Sequence, residues 1–95
     1  MTFSFHPEAE TELSAAIEHY EDCEAGLGYD FSLEVLAVIR NIIAHPTAWP
    51  VMEEGIRRCL VNRFPFGVLY SLEPTGVFVI AVMHLRRRPD HWKNR

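Results

Sequence analysis

The sequence predicts an α+β domain in which a helical hairpin lies on one face of a small, mainly antiparallel sheet, in the order β-α-α-β-β-β. Three observations carry this. Apolar residues recur every three or four positions between Ala9 and Ile42, the spacing of amphipathic helices. The period then shortens towards two, as in strands, and "EPTG" at residues 73–76 sets a tight turn between the last two of them. Helices and strands that each bury one face pack as two layers.

Taken in order, "TFSF" (2–5) is short and β-prone, and Pro7 suits the first turn of a helix, where its missing N–H is not needed and Glu8 and Glu10 meet the positive end of the helix dipole. Ala9, Leu13, Ala16, Ile17 and Tyr20 form one stripe, and this helix is expected to stop near Gly26. After "GLG", Phe31, Val35, Val38, Ile39 and Ile42 repeat the spacing until "HP" at 45–46 ends it, because the residue before proline resists helical dihedrals. "IRRCLV" (56–61) and "FGVLYSLE" (66–73) read as strands. "VFVIAVMHL" (77–85) is apolar almost throughout, as expected of a central strand covered on both faces.

At 95 residues and 48% hydrophobic content the chain suits one domain, 1–95, with a single core. No apolar run is long enough to span a bilayer, and "MTFSFHPEAE" lacks the cationic and hydrophobic parts of a secretory signal, so a soluble cytoplasmic protein without membrane contact is expected. Cys23 and Cys59 read as ordinary thiols. Five histidines (6, 19, 45, 84, 91) show no metal-ligand spacing, and neither metal nor cofactor is expected.

Charge is strongly polarised. Residues 1–39 hold nine acids and no Lys or Arg, whereas residues 56–95 hold eight cations against Glu73 and Asp90. Five of those cations fall within "RRRPDHWKNR" (86–95), an arrangement that favours an anionic partner. Arg86, Arg87 and Arg88 are consecutive, so in an extended segment they cannot all enter one core.

"FHPEAETELSAAIEHYED", "GLGYDF", "IRRCLVNRFPFGVLY" and "VIAVMHLRRRPDHWKNR" together resemble the RelE/ParE superfamily of toxins from type II toxin-antitoxin modules, which includes plasmid-stabilisation proteins. The likeness runs nearly end to end. Its most specific parts are Arg58 leading into Phe64-Pro65-Phe66 and Tyr70, and the terminal His84, Arg87, Pro89, Trp92, Arg95.

The resemblance implies a cognate antitoxin protein as partner, with a toxin-antitoxin heterotetramer as one assembly, and one of two activities. ParE-like members bind and poison DNA gyrase. RelE-like members are endoribonucleases that cut messenger RNA on the ribosome, which requires a base, cations for the phosphorane and an acid. This chain has Glu53 and Glu54 where the nuclease pattern has lysines, and Trp92, which takes up no proton, where it has a late tyrosine. If it is a nuclease, Arg58, His84, Arg87 and His91 are the candidates. The absent acid-base pair instead favours a ParE-like gyrase inhibitor that binds through Arg86, Arg87, Arg88, Trp92, Lys93 and Arg95 and has no catalytic centre of its own. For Trp92 and "FPF", a packing role is the stronger expectation.

Overall fold

The computed structural model describes residues 1–95. Its elements are β1 (Thr2–Phe5), α1 (Pro7–Cys23), α2 (Leu27–Ala44), β2 (Val51–Glu53), β3 (Ile56–Leu60), β4 (Phe66–Glu73) and β5 (Gly76–His84). The strands form one sheet in the order β1-β5-β4-β3-β2. All neighbours run antiparallel except β1, which lies parallel to β5.

The architecture is the expected two-layer α+β arrangement with one strand more. "VME" (51–53) forms β2, folding back on β3 through the two-residue turn Glu54-Gly55, both with positive φ. That is the dihedral requirement of a type I′ hairpin, whose twist suits the flanking strands. The first helix ends at Cys23, before the expected Gly26. The apolar last strand is second from the edge, with β4 at the centre.

Proline at N1 and His6, whose Nδ1 accepts from the Glu8 N–H, start α1. The hairpin turns within three residues because Gly26 adopts a left-handed φ of 88°. Gly28 then lets α2 cross close to α1: a Cβ there would lie 2.4 Å from the Ile17 carbonyl oxygen. Glu21 closes the junction by accepting from the Gly26 and Gly28 N–H groups.

Two apolar clusters result, one on each face of the sheet. Between sheet and helices lie Ala9, Phe31, Val35, Ile42, Val68, Tyr70, Val77 and Val79, among others. Tyr20, Phe31, Phe64 and Phe66 interlock there, largely edge to face, at centroid distances of 4.8–6.1 Å. The outer face buries Ile56, Leu69, Ile80, Ala81 and Met83 beneath Trp92. The segment after β5 therefore closes a second small core, making its three-residue turns as His91, Lys93 and Arg95 N–H groups bond the carbonyls of Arg88, Asp90 and Trp92.

Candidate functional site: the arginine-lined outer face

Strand alternation sends Arg57 and Arg58 to opposite faces. Arg57, on the helical side, donates to the carbonyls of Trp49 and Thr47, and Tyr70 Oη donates to the Pro46 carbonyl at 2.9 Å; both tie down the connection after α2. Arg58 emerges on the outer face, where it is exposed. Its register partner is Leu69, and its aliphatic stem lies over Gly67.

Arg87 reaches the same place from the turn that follows β5. Leu85 N–H donates to the Pro65 carbonyl, Arg87 N–H to the His84 carbonyl, and Arg86 N–H to His84 Nδ1 at 3.0 Å, which fixes the turn leaving β5. Arg58 and Arg87 then line one small trough of about 70 Å³ with Met52, Leu69, Met83, Leu85 and Pro89. Two arginines among apolar lining residues suit an oxyanion carried on an apolar group, since arginine forms paired hydrogen bonds with carboxylate or phosphate. None of the lining residues is a group that exchanges protons near neutral pH.

The other candidates separate. Arg86 and Arg88 are exposed beside the trough, Arg88 in a long-range pairing with Asp90 at 3.9 Å. Lys93 Nζ lies 3.1 Å from Glu53, one of the two acids that stand where the nuclease pattern has lysines; the hydrogen bond to that carboxylate raises the ammonium pKa. Trp92 is 3% exposed and packs against the outer face of the sheet, the packing role its sequence context favours, and its indole N–H finds no acceptor in the protein.

Arg95 also turns inward. Its side chain is 7% exposed and holds Glu12 of α1 in a two-pronged pair, Nη1 to Oε1 at 2.6 Å and Nη2 to Oε2 at 2.8 Å, with Glu8 3.4 Å from Nε. Nη1 also donates to the Ile80 carbonyl, while Glu12 Oε1 accepts from the Val82 N–H. These two backbone groups sit where β5, bulged opposite Leu69/Tyr70, has run past the last partner β1 offers, so the ion pair satisfies an otherwise open edge. Partial burial pushes the Glu12 carboxyl up, but the hydrogen bonds from Arg95, His91 and Val82 outweigh it and hold the pKa below the ordinary value.

The histidines fall away from the trough. His91 Nε2 is enclosed by this clamp, 2.8 Å from Glu12 Oε2 and 3.0 Å from Arg95 Nη2. His84 stacks edge-on against Phe66 on the helical face. It shares with Arg87, His19 and Glu12 a separate, half-open cavity of about 300 Å³ beneath α1. The clamp partner Glu12 was invisible to sequence reasoning, which treated it as one of nine scattered acids; its only local signal is a place on α1 one turn before the apolar Ala16.

No helix is long and apolar enough to cross a membrane. No protein-family model matches the chain, and no curated protein does. Among solved structures, a chain of the one described as the chromosomal ParDE TA system from P. aeruginosa superposes with a TM-score of 0.72, at 17% identity over 88% of this chain and 95% of that one. This protein therefore has the fold of a component of a ParDE toxin-antitoxin structure. The two-layer arrangement expected from the sequence resemblance is the one found, with β2 as an added strand.

Proposed function

We propose that the chain is a ParE-like toxin of a type II toxin-antitoxin module, which arrests growth by binding DNA gyrase through the outer-face arginines and is neutralised by a cognate antitoxin. The observation that carries this reading is the trough itself: Arg58 and Arg87 both line it, and every other lining residue is apolar, with no proton-exchanging side chain among them. Such a site grips an anionic surface and has no means of moving the protons that RNA cleavage requires. The fold likeness to a ParDE structure supports the same class.

A second reading, the ribosome-dependent messenger RNA endoribonuclease, has one observation in its favour, since His84 and Arg87 line a common cavity. Against it, His84 Nδ1 already accepts from the Arg86 N–H, and His91 is held by Glu12 and Arg95.

Purified protein added to a gyrase supercoiling assay and to a translating extract separates the two. Inhibited supercoiling with intact transcripts is expected. Codon-positioned cuts mapped by primer extension, with gyrase unaffected, would reverse the assignment. Reversal of the inhibition by the product of an adjacent small reading frame is expected of the antitoxin.

A further inference from the structure

Gly67 stands at a place where no backbone requirement calls for glycine. It lies inside β4, the central strand, paired with Leu60 on one side and Met83 on the other. Its φ is not among the positive values, which in this chain's glycines fall at Gly26, Gly55 and Gly76. Glycine in a strand interior forfeits side-chain packing and carries the largest backbone entropy cost of any residue. Its space is used by a neighbour. A Cβ on residue 67 would sit 3.1 Å from Arg58 Cδ and 3.2 Å from Arg58 Cγ, with Leu85 Cδ2 at 3.5 Å. The first two contacts are tighter than ordinary van der Waals packing, so the Arg58 stem occupies the notch that the missing side chain leaves.

We infer that Gly67 is a positioning residue, whose bare backbone seats the stem of Arg58 flat on the sheet so that its guanidinium acts with Arg87 on one oxyanion. This rests on the reading of the outer face as the target-binding face, and it names the device that shapes that face. Arginine carries many rotamers, and a stem seated in a notch gives up part of that freedom before the anion arrives; binding then costs less ordering. A methyl at 67 pushes the stem back by a few tenths of an ångström and loosens its seat in the notch, while leaving the strand's own dihedrals undisturbed.

Inorganic phosphate is the probe, followed through the side-chain Nε–H signals of Arg58 and Arg87 by NMR. In the unaltered chain both signals should move together on titration, and NOEs should connect Gly67 Hα with Arg58 Hγ and Hδ. Gly67→Ala should weaken phosphate several-fold without lowering Tm, because alanine also restricts the unfolded chain. In an Arg58→Ala background the same change should leave the residual affinity unaltered, as required of a residue that acts through its neighbour. Unchanged affinity in Gly67→Ala, equal weakening in both backgrounds, absent NOEs, or Arg58 and Arg87 signals that do not respond together would each overturn the inference. Supercoiling inhibition is measured on the same samples: a parent chain that leaves gyrase untouched but shows Gly67-dependent phosphate binding removes the gyrase assignment and leaves this inference standing.

Discussion

Glu12 on the first helix and Arg95 after the last strand, 83 positions apart, meet in a two-pronged ion pair that also satisfies Ile80 and Val82 on the open edge of β5. The pair fastens the terminal segment over the second core. Removing either partner strands a partly buried charge and one backbone group, the Val82 N–H in one case and the Ile80 carbonyl in the other, so Glu12→Ala and Arg95→Ala are each expected to lower stability by ~1–3 kcal/mol. The double variant should lose less than the two single losses together, because the sites couple. Urea denaturation of the four proteins measures this, and strict additivity would show that the contact contributes nothing.

The same pair gives stability an acid limb. Glu12 titrates below its ordinary 4.5 in the folded chain, since the hydrogen bonds from Arg95, His91 and Val82 outweigh the desolvation that raises it. A depressed folded pKa contributes stability that is complete above the unfolded value and lost as pH falls through the folded one. Thermal melts should therefore show Tm dropping below about pH 4.5. In Glu12→Gln that part of the slope should be missing.

Trp92 is buried with its N–H unpaired, which separates its area from its polarity. Trp92→Ala opens a cavity over Leu69 and Ile80 and should cost about 3–5 kcal/mol. Trp92→Phe keeps most of the apolar contact and removes an unsatisfied donor, so its cost should fall well below that of alanine. Chemical denaturation compares the two; equal losses would mean that the indole N–H has an acceptor after all.

Charge reversal on the trough tests its use. Arg58→Glu and Arg87→Glu should raise the concentration needed to inhibit supercoiling by roughly tenfold or more, the effect of a binding hot spot, with Tm nearly unchanged because both side chains are exposed. Arg57→Ala should do the opposite. It unties the Trp49 carbonyl and lowers stability. Deleting residues 90–95, by contrast, removes Trp92 and Arg95 together and should unfold the outer core along with any activity.

The helices and the long strands were legible because their signals are local. Ala9 to Tyr20 and Phe31 to Ile42 carry helical spacing within one turn, and "EPTG" carries its own turn chemistry. The short β2 was missed because "VMEEG" has neither an Asn-Gly nor an Asp-Gly turn; the signal present was a glycine, Gly55, between Val51-Met52 and Ile56. Of the site, Arg58, Arg87 and the exposed Arg86 and Arg88 were found as cations, but their convergence was not, since it depends on which face each strand turns outward.

Sequence alone therefore determined a two-layer domain and the polarity of its charges, both of which follow from residue type and short-range periodicity. Only the tertiary structure decided that Trp92 and Arg95 face inward while Arg58 and Arg87 face a common trough. Those outcomes rest on contacts between distant segments, such as Glu12 with Arg95 and Arg58 over Gly67, that exist only once the sheet has assembled and each side chain has been assigned a face.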